Sequence, residues 1–203
     1  MNAEAKYTGI IFQGWGVKAV LEGRKTNTRR TQGLDFINQH PNDWQLHDVV
    51  EGTFLFRNPN GGSFTARCPY GQVGDRLWVR ETFSYKPVEM GSYTEWRLIY
   101  RADDPNEMDR DNWKPSIHMK RIDSRITLEI TGVKVERIQD ISEGESIAEG
   151  SQIPCDQLPP SCRQAVWTER QQFSKIWDSI NAKRGYGWDV NPWVWALTFK
   201  VVE

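Results

Sequence analysis

A long alternating run, Arg125-Ile126-Thr127-Leu128-Glu129-Ile130-Thr131-Gly132-Val133-Lys134-Val135-Glu136-Arg137, constrains this chain more than any other feature. Apolar and polar residues exchange places along it at the period of a strand, so it reads as one long or bent β-strand. Shorter β-prone segments accompany it. Gly9-Ile10-Ile11-Phe12 ends in the breaker Gln13-Gly14-Trp15-Gly16, Thr53-Phe54-Leu55-Phe56 precedes an Asn58–Gly62 turn, and Trp96–Tyr100 adds another. After a Gly74-Asp75 turn, Leu77 and Val79 fall on one side of a strand and Arg76, Trp78 and Arg80 on the other. Trp193 to Lys200 is a mostly apolar closing strand.

Two stretches break this β pattern. Val17-Lys18-Ala19-Val20-Leu21-Glu22 has helical composition and stops at Gly23. A second helix is predicted from about Thr168 to Ala182, where Phe173, Ile176, Trp177 and Ile180 form an apolar stripe. Between them, Ser142 and Glu145 fit a capping box, so Glu143 to Glu149 is expected to form a short helix ended near Gly150. Strands interrupted by short helices predict an α+β fold, a small, mixed, partly closed β-barrel with helices at its openings. The length of 203 residues fits one domain spanning 1-203, with insertions near 32-62 and 151-167. The first insertion reads as an irregular excursion with a hairpin, the second as a connector.

Charge and cysteine usage remove several classes. A formal charge of -1 excludes a protein that coats duplex DNA through bulk positive charge, so any nucleic-acid contact has to come from a local patch. Lys18, Arg24, Lys25, Arg29 and Arg30, opposed by Glu22, form such a patch, and Lys120, Arg121 and Arg125 form a second. Acidic residues gather instead from Asp103 to Asp111. No stretch approaches the roughly 18 consecutive apolar residues of a membrane span, and the N-terminus lacks the basic-then-apolar order of a secretory signal, so a cytoplasmic location is expected. Cys68, Cys155 and Cys162 are odd in number and match no zinc spacing; they read as free thiols, with no metal or cofactor expected.

The segment Gly23-Arg24-Lys25-Thr26-Asn27-Thr28-Arg29-Arg30 follows the first helix and is read as extended, so Lys25, Asn27 and Arg29 face one way while Thr26, Thr28 and Arg30 face the other. With the Ala-Val-Leu before it, this segment resembles the N-terminal signature of ASCH domains in the PUA-like group. Gly74-Asp75-Arg76-Leu77, the capped helix through Glu149 and the terminal Trp195–Lys200 fall in the same order as in that family. The chain resembles ASCH proteins of phage and prophage genomes and, more distantly, bacterial amidohydrolases that deacetylate acetylated cytidine. The resemblance implies a PUA-like barrel and, for the amidohydrolase branch, a catalytic set of Lys25, Thr28 and Glu149, with Glu143 and Glu145 as competitors for the last place.

Two functional classes stand on these residues. In a binding module, Lys25, Arg24, Arg29, Arg30 and Arg121 hold RNA phosphates while Trp15 or Trp78 stacks a base. In a hydrolase, a lysine with its pKa lowered by neighbouring cations activates the Thr28 hydroxyl and Glu149 handles the leaving group's proton, on a modified nucleoside or on RNA. Arg80 and Glu81 either pair or line the pocket, and His118 is either an acid-base group or a hydrogen-bonded structural histidine. A protein-binding accessory is the third alternative, with no partner named by the sequence.

Overall fold

The computed structural model describes residues 4–103, 112–151 and 168–202. Its main sheet has five strands in the order β1 (Tyr7–Ile11), β6 (Arg76–Arg80), β9 (Thr127–Arg137), β10 (Trp193–Val201) and β2 (Asn27–Arg30). β1 runs parallel to β6, and the other three pairings are antiparallel. The long alternating run is therefore central, as its period requires. It pairs with β6 through its first residues and with β10 along most of its length. A three-stranded sheet of β3 (Gln45–Val50), β4 (Thr53–Arg57) and β5 (Ser63–Arg67) lies within the expected excursion and just beyond it. β7 (Phe83–Glu89) and β8 (Thr94–Tyr100) form a separate hairpin.

The expected α+β class holds, but the main sheet is open rather than closed into a barrel. β1 and β2 are its two edges, and no backbone ladder joins them. Instead the Arg30 guanidinium, at the end of β2, donates to the Ile11 carbonyl at the end of β1 across 2.9 Å. A side chain in place of a ladder leaves a seam between the edges.

Among the described residues four α-helices accompany the sheets: α1 (Gly14–Leu21), α2 (Asp35–Asn38), α3 (Glu143–Ala148) and α4 (Glu169–Asn181). α3 and α4 begin with capping boxes at Ser142 and Thr168, which satisfy the first orphan amides of each helix. Strand register explains how the layers assemble. Leu197 pairs with Thr28 on one side and Val133 on the other, and Leu197 belongs to a core with Ile10, Val17, Val20, Leu77 and Leu128. Trp195 and Trp193, two and four residues earlier on the same face, pack with Phe54 and Phe56 of the smaller sheet. The intervening Val194 faces the other way, against Ile138, Phe173 and Trp177 of α4. The connector predicted near 151-167, with Cys155 and Cys162, and most of the acidic stretch after Asp103 lie outside the described residues.

Candidate functional site

The turn after α1 brings Lys25 under the end of α3. Both the Arg24 and Lys25 amides donate to the Ala19 carbonyl, and Thr26 donates to Ala148, so this segment is bonded to both helices before β2 begins. α3 stops at Gly150, whose φ of +77° is left-handed. A Cβ there would stand 2.8 Å from the Ala19 Cβ and 3.3 Å from the Lys25 Cβ. Glycine thus permits both the turn and the close approach of α3 to α1. The preceding residue, Glu149, is directed at Lys25 as a result.

The Lys25 ammonium donates to the Glu149 carboxylate at 2.7 Å and to the Glu149 carbonyl at 2.8 Å. Both residues are buried, at 3% and 4% exposure, so neither charge is screened by bulk water. Arg29 reaches the other carboxylate oxygen at 3.2 Å, bonds Glu136 at 2.7 Å and lies 3.4 Å from Glu145. Lys134 pairs with both Glu136, at 2.8 Å, and Glu145, at 2.5 Å. Register accounts for the grouping, since Arg29, Ala196 and Lys134 are cross-strand neighbours on one face of the sheet. Three cations thus meet three carboxylates, and the network is electrically balanced.

Lys25 is held differently from its neighbours. Its ammonium lies 5.4 Å from the Phe12 ring centroid and 5.7 Å from that of Trp15, within reach of both π faces. Burial pulls its pKa below the ordinary lysine value; Glu149 acts in the opposite direction, and Arg30 and Arg29 add to the lowering. An ammonium carries three donors, and Glu149 accepts two of them. Among the described residues the third has no acceptor, and Lys25 borders a cavity.

That cavity occupies the open seam. It measures about 560 Å³ and is lined by the end of β1, by Trp15 of α1, by Arg29 to Gln32, by Tyr70 and Arg80, and by Ile176, Ile180 and Arg184 on the α4 side. Aromatic and aliphatic surface alternates there with fixed polar groups, the usual make-up of a small-molecule site. Burial raises the Tyr70 hydroxyl pKa, with Arg30 working against the rise, so Tyr70 stays a neutral donor at physiological pH. It donates to the Gln32 side chain at 3.1 Å.

Of the residues singled out from the sequence, Lys25, Glu149, Arg29, Arg30, Trp15 and Arg80 all line this cavity. Thr28 does not. It pairs with Leu197 on the core face, it is fully buried, and its hydroxyl has no hydrogen-bond partner. Trp78 stays outside the lining but supports it: its ring lies against Gly9, where a Cβ would be 2.9 Å away, and the Arg80 guanidinium stacks on it at 5.2 Å. Glu81 is spent on Arg125, which also binds Asp103. Arg121 lies over the Tyr7 ring at 3.5 Å, Arg24 pairs with the nearby Glu22, and His118 sits exposed in a short turn outside the cavity lining.

The sequence reading missed Phe12, Tyr70, Ile176 and Ile180 as site residues. The α4 stripe carried a usable signal, because it is broader than one core face requires: Phe173 and Trp177 are buried, while Ile180 is 38% exposed at the cavity. Among the described residues no group of His, Cys, Asp or Glu is arranged to hold a metal ion, and no helix is long and apolar enough to cross a membrane. Burial raises the Cys68 thiol pKa to about 11, which makes it a poor nucleophile.

No protein-family model matches the chain, and no curated protein matches it. Among solved structures the chain is similar in fold to a DUF984 protein of Enterococcus faecalis V583, at 11% identity and a TM-score of 0.42, covering 100% of this chain and 83% of that one. It is also similar to an ASCH domain from Lactobacillus crispatus JV V101, at 12% identity and a TM-score of 0.41, covering 97% and 80% respectively.

Proposed function

We propose that the seam cavity binds a nucleoside, with the base against the Phe12 and Trp15 rings and a base carbonyl oxygen accepting the third Lys25 proton. The observation that carries this reading is the Lys25 ammonium, fixed at 2.7 Å by Glu149 between two aromatic faces and bordering a cavity of about 560 Å³. A planar, apolar-faced ligand with a carbonyl on its edge fits such a site, because rings stack on its faces while the ammonium reads its edge. Aliphatic side chains of α4, Ile176 and Ile180, offer apolar surface for the opposite side.

The same pair favours a second reading, hydrolysis of an acylated base amide. Lys25 would polarise the acyl carbonyl and bind the oxyanion formed when water adds. Glu149 would take the proton from that water and pass it to the leaving amine nitrogen, giving a carboxylic acid and the free base. Water is the nucleophile in this scheme, because the Thr28 hydroxyl is turned into the core.

Both readings are tested by incubating the full chain, Trp15→Ala and Lys25→Ala with N4-acetylcytidine, unmodified nucleosides and a labelled single-stranded RNA. Equilibrium dialysis reads binding and mass spectrometry reads products. Nucleoside binding weakened about tenfold or more in Trp15→Ala supports the binding site. Deacetylation lost in Lys25→Ala adds the hydrolase. Absence of binding to every nucleoside overturns the reading and moves weight to a protein partner.

A further inference from the structure

The cations of the cavity fall into two groups. Lys25 and Arg29 are matched by carboxylates, whereas Arg30, Arg80 and Arg184 form no ion pair among the described residues. The two buried-side arginines are held by neutral carbonyls instead. Arg30 donates to the Arg29 carbonyl at 3.0 Å and to the Ile11 carbonyl at 2.9 Å. Arg80 donates to the carbonyls of Ser116 and Ile117.

Carbonyl anchoring fixes a guanidinium without neutralising it. Each guanidinium has five N–H donors; Arg80 keeps three after its carbonyl bonds, and Arg30, which also shares a hydrogen bond with Tyr70, keeps two. They also converge. Ile11 is the register partner of Arg80, and it is the residue whose carbonyl holds Arg30, so both arginines flank the last residue of β1 at the seam. Arg184 approaches from the α4 side closely enough that its charge opposes that of Arg30. Two carboxylates share the lining: Glu149, already matched by Lys25 and Arg29, acts on Arg30, and Asp35, which accepts from the Tyr186 hydroxyl at 2.6 Å, acts on Arg184; three arginines against these leave a positive excess.

We propose that Arg30, Arg80 and Arg184 form a phosphate subsite at the β1 end of the cavity, so that the ligand is a nucleotide rather than a free nucleoside. This rests on the nucleoside-binding reading and extends it. Fixed forks with spare donors match the oxygens of a phosphate, and the anion relieves the repulsion between the arginines. The phosphate belongs either to a free nucleoside monophosphate or to one linkage of an RNA strand; the recognising chemistry is the same.

The test compares affinities of the full chain for nucleosides, their 5′-monophosphates, dinucleotides and inorganic phosphate at fixed ionic strength. Nucleotides are expected to bind about tenfold or more tighter than the matching nucleosides, with inorganic phosphate a weak competitor of nucleotides only. Preference for monophosphates points to a free nucleotide and preference for dinucleotides to a strand; both support the subsite. Arg184→Gln, at an exposed position, is expected to reduce the preference about threefold or more. Arg80→Lys, which keeps the charge but loses the fork, is expected to reduce it as well. Equal affinity for nucleoside and nucleotide overturns the subsite alone. No binding of either overturns the nucleoside reading beneath it.

Discussion

Glu149 and Lys25 are 124 residues apart in sequence, and their side chains meet at 2.7 Å inside the protein. Glu149 is shared, because Arg29 reaches its second oxygen at 3.2 Å. The two ends of the pair therefore do not weigh equally. Glu149→Gln removes the carboxylate that pairs with Lys25 and is expected to cost about 3–5 kcal/mol. Lys25→Met leaves Glu149 with Arg29 and is expected to cost about half as much. Denaturant titration of the two variants checks the order.

Gly150→Ala is expected to destabilise by more than about 1 kcal/mol, because its φ of +77° disfavours any side chain and the new methyl would meet Ala19. The same change displaces Glu149, so nucleoside affinity should fall with the melting temperature. Gly144→Ala, in open space within α3, is the control and should be neutral or stabilising.

Glu145 contributes to acid sensitivity at the low end of the pH range. Burial alone would raise this carboxyl, but hydrogen bonds from Lys134 and Ser142 and the Arg29 charge outweigh burial and bring it from 4.5 to about 2. A depressed carboxylate pKa contributes stability that is complete above the unfolded value and lost as pH falls through the folded one. Wild type is thus expected to lose on the order of 2 kcal/mol between pH 4.5 and about 2, and Glu145→Gln to lose less over the same window. Urea titrations across that range measure the difference.

Thr28→Val separates the two ways of using the motif. The hydroxyl is buried with no partner, so an isosteric methyl should leave stability within about 1 kcal/mol of wild type or raise it. Nucleoside affinity should be unchanged, and so should any deacetylation that proceeds through water. Loss of turnover with intact binding would instead assign Thr28 to the chemistry.

How far the site could be read from sequence follows the distance over which each contact acts. Alternation put Lys25 and Arg29 on one face, and both do point to Glu149. The capping box at Ser142 placed α3 and its glycine stop, from which Glu149 follows. The α+β class and the Leu77/Val79 buried face came from the same periodicities. Residue type alone was a poorer guide. Glu81 and Arg121 have site-like chemistry but serve Arg125 and Tyr7, partners fixed by pairings that no local pattern encodes, while Arg24 is taken by the neighbouring Glu22. Barrel closure failed for a related reason: an edge-to-edge ladder depends on how two distant strands meet, and here the Arg30 side chain takes its place.

The most direct test of the seam cavity as a nucleoside site is to follow the indole N–H resonances of the tryptophans while unlabelled nucleosides are added. Trp15 and Trp177 line the cavity, whereas Trp193 is buried between the sheets with its indole N–H bonded to the Pro41 carbonyl at 3.1 Å. Saturable shifts at Trp15 and Trp177 with Trp193 unmoved are the predicted result. No shift with any nucleoside, or shifts that leave Trp15 unmoved, would contradict the account.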